Sequence, residues 1–298
     1  MHAHVLLSGI LAVFTLALTG CSSDGDDAAA TSTSASIQYL GVGDSIAYGD
    51  DGFIDHTVAA RPDPTVFVGY PDLVGKETFG GHYLNLGCPG ATTGSFSSLA
   101  AMDNGCRAIQ TDDTAILHVP YTTTQADKTQ TYLAMNDVKV ITVSLGGNDL
   151  LLTLSACSDA TPDDPNAALA CAISNLPKTL TDGAASLTAI FQAFKDQGFK
   201  GQLIYVNLYS TYAPSDMATL AVQAWNSKMA PIVTAAGGTV ADVFTPFGDA
   251  AKSAGDPCTA GLLIPNPTAG AMPPCDVHPS MMGLRILADT VEASITTK

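Results

Sequence analysis

Four short polar motifs hold the side chains of this sequence that are best suited to acyl chemistry. The first is Gly43-Asp44-Ser45, directly after an apolar stretch. A serine at the start of a helix meets backbone N–H groups and the positive end of the dipole, which favour an alkoxide or oxyanion. The second, Asn85-Leu86-Gly87-Cys88-Pro89-Gly90, offers glycines whose backbone N–H can approach a substrate oxygen closely. The third is Gly146-Gly147-Asn148-Asp149. There Asn148 can donate a side-chain N–H to an oxyanion, and Asp149 can anchor its loop through backbone hydrogen bonds. The fourth, Asp276-Val277-His278-Pro279, supplies an imidazole with an ordinary pKa of about 6.5, suited to general-base work at neutral pH.

Taken singly, each motif has a plain structural explanation. Asp-Ser is a common turn and helix-cap pair, Gly-Asn-Asp is a common turn, and an isolated histidine is more often structural than catalytic. The order and placement of the four give them their weight. His56, His82 and His118 have no comparable context, and no HExxH motif or His/Cys cluster argues for a metal. No cofactor is expected.

The motifs need a scaffold that brings distant segments together. Ile37–Val42, His82–Leu86, Val138–Leu145 and Gln202–Leu208 read as strands, and Thr239–Phe244 is a weaker fifth. The run VKVITVSL at Val138–Leu145 has the β-branched character of a buried parallel strand. Leu180, Leu187, Ile190, Phe191 and Phe194 recur on one helical face, with Lys195 and Gly198 as a stop signal. Met217–Met229 is a second helix and holds the only tryptophan, Trp225. A last helix follows Pro279-Ser280, with Leu284, Leu287, Ala288, Val291 and Ile295 as its apolar stripe. Strands alternating with helices predict a parallel sheet with helices on both faces, and ligands in such sheets bind beyond the carboxyl ends of the strands. Three of the motifs follow predicted strands. Asp50–Val68, Arg107–Asp137 and Gly255–Cys275 read as long loops over that face.

Together, the four motifs resemble the GDSL, or SGNH, hydrolase family, and the resemblance spans Gln38 to the C-terminal helix. The family's signature Ser, Gly, Asn and His fall here on Ser45, Gly90, Asn148 and His278. The resemblance implies a flavodoxin-like, three-layer α/β/α fold over residues 37–298 and serine-dependent hydrolysis of carboxylic esters. It also implies an oxyanion hole built from the Ser45 and Gly90 backbone N–H groups and the Asn148 side chain. Esterase- or lipase-type acyl hydrolysis is the leading expectation. A carbohydrate acetyl-ester deacetylase of the same fold is the alternative, and a non-catalytic surface binding module is a more distant one. The family usually places its acid three residues before the histidine, where this chain has Cys275. Either Asp276, two residues before, orients His278, or a backbone carbonyl at Cys275 does so; Asp276 is the preferred candidate.

The chain begins with an apolar run, Val5–Leu18, too short to span a bilayer, followed by Leu18-Thr19-Gly20-Cys21. This tetrad resembles a bacterial lipobox. It implies a signal peptide over residues 1–20, lipidation of Cys21, and attachment to the cell envelope, at the outer membrane if the source is Gram-negative. Met1-His2-Ala3-His4 departs from the pattern in lacking Lys or Arg. Residues 21–36, low in apolar side chains, read as a tether.

The other six cysteines suit an exported, disulfide-bonded protein. Many pairings are open, and neighbouring cysteines suggest Cys88–Cys106, Cys157–Cys171 and Cys258–Cys275. A hydrophobic fraction of 46% with 13% charged residues is a globular composition, and a net charge of −16 repels phosphate backbones. The expected partner is a small-molecule, lipid or glycan ester, not nucleic acid, and the expected state is a monomer.

Overall fold

Short β-branched strands that are apolar on both sides can be stable only when helices cover both faces of their sheet. The computed structural model has this arrangement. It describes residues 36–53, 64–112, 116–214, 216–268, 270 and 273–296. The signal segment, Cys21, nearly all of the tether and His56 lie outside the described residues.

The elements run β1 (Tyr39–Gly43), α1 (Ser45–Tyr48), α2 (Tyr70–Glu77), β2 (Tyr83–Asn85), α3 (Cys106–Thr111), α4 (Gln125–Met135) and β3 (Val140–Ser144). Then follow α5 (Gly147–Ala160), α6 (Pro165–Asp196), β4 (Gln202–Val206), α7 (Met217–Ala235) and β5 (Thr239–Ala241). The chain ends with α8 (Phe244–Ala251), β6 (Leu263–Pro265), β7 (Cys275–Pro279) and α9 (Met281–Ser294).

Five strands form a parallel sheet in the order β2-β1-β3-β4-β5, the flavodoxin-like arrangement. Successive residues along a strand face opposite sides, and the core divides accordingly. Leu40, Val42, Ile141, Val143, Leu203 and Tyr205 meet Leu187, Ile190, Phe191 and Phe194 of α6 and Trp225, Met229 and Val233 of α7. Tyr39, Val140, Ile204 and Val206 meet Tyr70 and Val74 of α2, Phe247 of α8, and Leu284, Leu287 and Val291 of α9. This is a three-layer α/β/α fold with an open sheet.

Strand order reverses between β1 and β3, which run parallel, and Gly43 pairs with Ser144 there. Such a switch point leaves a crevice at the carboxyl ends of the two strands. The first motif follows β1, and the third follows β3.

Several expected boundaries move. Arg107–Asp137 is not one long loop: it contains nearly all of α3 and the whole of α4. Helix α4 (QADKTQTYLAM) has only a sparse apolar face, Ala126, Tyr132 and Leu133 packing partly buried against the core, and the residues it buries fully are Gln125 and Thr129. Its signal is the capping box, in which Thr124 accepts from the Asp127 N–H and Asp127 reaches back to Thr124. Helix α6 starts at Pro165, capped by Asp164, well before the apolar face that begins at Leu180. Strand β5 stops at Ala241, and Phe244 opens α8. Within Gly255–Cys275, Leu263–Pro265 pairs antiparallel with β7. The three disulfides are Cys88–Cys106, Cys157–Cys171 and Cys258–Cys275. No helix among the described residues is long and apolar enough to cross a membrane.

Candidate active site

Ser45 opens α1, a single turn capped by the buried Asp44, whose Oδ1 accepts the Ile46 N–H at 3.0 Å. The strand-to-helix turn is tight enough to demand a glycine before it. A Cβ on Gly43 would lie 2.3 Å from the Ser144 carbonyl oxygen. Three groups beyond the motif hold this turn. The Gly43 N–H donates to Gln125 Oε1 (3.0 Å), while Gln125 Nε2 donates to the Gly43 carbonyl (2.7 Å). The Cys88 N–H donates to the same carbonyl at 3.0 Å. Gln125 thus does for Gly43 what an adjacent strand would do, at a level where β2 has already ended. Farther along α1, Asn85 Nδ2 donates to the Ala47 carbonyl (2.6 Å) and to Asp72 Oδ2 (2.8 Å).

Gly90 has φ 83°, a left-handed conformation suited to glycine, and a Cβ there would lie 2.2 Å from the Asn104 carbonyl oxygen. The Asn104 N–H donates to the Gly90 carbonyl at 2.8 Å, and the Cys88–Cys106 bridge joins the two flanking segments. Asn148 is buried in the first turn of α5. Its Nδ2 donates to the Ala91 carbonyl (3.1 Å), and its Oδ1 accepts from Asn104 Nδ2 (3.0 Å). Asp149 accepts from the Thr93 N–H (3.0 Å) and the Thr93 hydroxyl (2.6 Å), pinning residues 91–93 against α5. Burial raises the Asp149 pKa, with these bonds opposing the shift. Behind the loop, Trp225 Nε1 donates to the Tyr205 hydroxyl (2.8 Å), which donates to the Leu145 carbonyl (2.9 Å).

His278 lies on β7, which packs against α1. Its Nδ1 is hydrogen-bonded to Asp276 Oδ1, and its backbone N–H donates to the same oxygen at 3.0 Å. Of the two orienting groups open to the sequence, the structure places the Asp276 carboxylate on the imidazole. The Cys258–Cys275 bridge holds the preceding residue. Burial opposes charge on His278, but the hydrogen bond it donates to Asp276 and the negative charges of Asp50, Asp276 and Asp44 outweigh it, so its pKa is raised. Burial likewise opposes charge on Asp276, yet the contacts with His278 and nearby backbone N–H groups lower its pKa. Asp44 is pushed up to about 7 by burial, against the pull of the Ile46 N–H and His278.

Ser45, Gly90, Asn148 and His278 line one cavity of about 270 Å³. Pro89, Ile109, Leu151 and Val277 supply its apolar wall, and Asp50 and Asn104 add polar groups. A larger groove of about 510 Å³ runs between α5 and α6, past Asp149, and contains neither Ser45 nor His278. Among the described residues no cluster of three or more His, Cys, Asp or Glu could hold a metal ion. Gln125, Asn104 and Asp50 are the site-shaping residues that the motifs alone did not single out.

The solved structures similar to the chain share this fold. Solved structures similar to the chain include an extracellular lipase from Streptomyces rimosus (17% identity, 87% of this chain and 99% of that one covered, TM-score 0.55). An acetylxylan esterase from Geobacillus stearothermophilus is 14% identical, with 88% and 95% covered and a TM-score of 0.53. A lipase from a goat rumen metagenome is 15% identical, with 87% and 97% covered and a TM-score of 0.50. No curated protein matches the chain. The family model described as GDSL-like Lipase/Acylhydrolase matches residues 42–286. With that match spanning most of its length, the chain belongs to the GDSL-like lipase/acylhydrolase family and is a serine-type ester hydrolase.

Proposed function

We propose that this enzyme hydrolyses small acyl esters of carbohydrates, acetyl esters foremost, with Ser45 as nucleophile and His278 as general base. The observation that carries this reading is the cavity of about 270 Å³ shared by Ser45, Gly90, Asn148 and His278. A space of that size lies below the range typical of sites that enclose drug-sized ligands. It suits a short acyl group held against Ile109 and Leu151, with the alcohol portion outside near Asp50 and Asn104. The sequence put general esterase or lipase action first; the small cavity moves the preference to the deacetylase alternative. An acetylxylan esterase among the structural relatives points the same way.

With Asp276 bonded to Nδ1, His278 presents Nε2 to the serine. His278 takes the Ser45 hydroxyl proton as Ser45 Oγ attacks the ester carbonyl. The tetrahedral oxyanion is held by the Ser45 and Gly90 N–H groups and by Asn148 Nδ2. His278 then protonates the departing alcohol, and water cleaves the acyl-enzyme by the same route. Export through residues 1–20 and anchoring through Cys21 complete the proposal. They would hold a monomeric enzyme at the cell envelope, where its three disulfides are stable.

The test is turnover of p-nitrophenyl acetate, butyrate, octanoate and palmitate and of acetylated xylo-oligosaccharides, with Ser45→Ala in parallel. We expect Ser45-dependent acetate release and a rate that falls as the acyl chain lengthens. A preference for octanoate or palmitate with no release from the glycan would overturn the substrate class, and turnover by Ser45→Ala would overturn the mechanism.

A further inference from the structure

We propose that Asn104 is a positioning residue for the oxyanion hole, setting which end of the Asn148 amide faces the substrate. The inference rests on the serine-hydrolase reading above.

The oxygen and nitrogen ends of an asparagine side chain are nearly the same size, so packing alone does not choose between them. Hydrogen-bond partners make the choice. On one side of Asn148 lies the Ala91 carbonyl, an obligate acceptor, which takes one Nδ2 hydrogen at 3.1 Å. On the other lies Asn104 Nδ2, a donor, which claims Oδ1 at 3.0 Å. With both bonds made, the second Nδ2 hydrogen of Asn148 is left for the cavity. If the Asn148 amide turned over, its oxygen would meet the Ala91 carbonyl, its NH2 would meet the Asn104 NH2, and an acceptor would face the developing oxyanion.

Asn104 acts on Gly90 as well. Its backbone N–H donates to the Gly90 carbonyl, and its own carbonyl occupies the space a Gly90 side chain would need. The segment is braced by the Cys88–Cys106 bridge and by Asp103, which accepts the Gly105 N–H at 2.9 Å and the Arg107 N–H at 3.2 Å. One residue on the cavity wall therefore contacts two of the three proposed oxyanion donors.

Asn104→Asp preserves shape and backbone but replaces the donor with an acceptor, which rewards the wrong Asn148 orientation. Asn104→Ala removes the donor without adding charge. The experiment measures kcat and KM on p-nitrophenyl acetate for wild type, Ser45→Ala, Asn104→Asp, Asn104→Ala, Asn148→Ala and the two Asn104/Asn148 double variants. Retained thermal unfolding midpoints and the absence of free thiols would show that the variants fold.

We expect Asn148→Ala and Asn104→Asp each to lower kcat on the order of a hundred-fold with little change in KM, and Asn104→Ala to lower it about ten-fold. In the Asn148→Ala background the uncharged Asn104→Ala change should have almost no further effect, because the group it acts through is gone, whereas Asn104→Asp keeps the direct repulsion of its new charge. A merely structural Asn104 would add its loss to that of Asn148→Ala, and multiplicative losses for Asn104→Ala would overturn the assignment. Wild-type kcat in Asn104→Asp would also overturn it. If Ser45→Ala retains turnover, the hydrolase mechanism itself falls, and the Asn104 role falls with it. An inactive Ser45→Ala with a multiplicative cycle removes the Asn104 role alone.

Discussion

Replacing Asp276 with Asn keeps the side-chain outline and removes its charge. In the structure the Oδ1 of Asp276 accepts from both His278 Nδ1 and the His278 backbone N–H, and Asp276 also stabilises the imidazolium by its charge. A charge-assisted hydrogen bond contributes about 1.5–3 kcal/mol, so its loss corresponds to roughly ten- to a hundred-fold in rate. Disorder of the imidazole and the wrong tautomer add to that. The total loss in kcat/KM should be roughly a hundred- to ten-thousand-fold, short of the loss from Ser45→Ala or His278→Ala.

The pH dependence has a definite sign. His278 is raised because negative charge favours its protonated form, so removing Asp276 lowers its pKa. The acid limb of kcat/KM, which marks His278 becoming neutral, must therefore move to lower pH. Asp50 and Asp44 still face the ring and limit the shift. The assay is initial-rate hydrolysis of a neutral acetyl ester across the acid and neutral range, with wild type and Asp276→Asn compared at each pH. An acid limb that stays in place or moves upward would refute this reasoning. So would activity within a few-fold of wild type, which would assign the orienting role to backbone.

Gln125→Ala leaves the Gly43 N–H without its buried partner. It should lower stability by about 1–3 kcal/mol, read by denaturant unfolding, and should lower kcat as the Ser45 turn loosens. Gly90→Ala forces a side chain into a left-handed conformation 2.2 Å from the Asn104 carbonyl oxygen; it should abolish most activity, with the disulfides retained as judged by thiol titration. Removing the Cys258–Cys275 bridge by a double Ser substitution opens a loop whose ends are 17 residues apart. This should lower stability by about 3 kcal/mol and, through Asp276, should lower activity before the protein unfolds, read by paired activity and fluorescence melts.

Ser45, Asn148 and His278 were legible in the sequence because each sits in a compact local pattern beside a strong strand or helix signal. The flavodoxin-like sheet was legible for a related reason: strands buried on both faces leave largely β-branched, uncharged runs such as VITVS. Gln125 and Asn104 were not. Their roles come from contacts across 82 and 44 positions of sequence, and nothing in the residues beside them points to those partners. Helix α4 escaped because its fully buried side chains are polar and only Ala126, Tyr132 and Leu133 face the core, so hydrophobic periodicity is weak there. The orienting acid was ambiguous because the two-residue spacing from Asp276 to His278 becomes informative only once β7 places both groups on one oxygen.

The central claim is that Ser45 carries the acyl group. The most direct measurement is peptide mass spectrometry of the enzyme quenched in acid during turnover of p-nitrophenyl acetate, with a phosphonylating serine reagent as a second label. The account predicts an acetyl or phosphonyl adduct on the peptide containing Ser45, lost in Ser45→Ala and strongly reduced in His278→Ala. An adduct on another residue, or turnover with no adduct at Ser45 by either label, would contradict it.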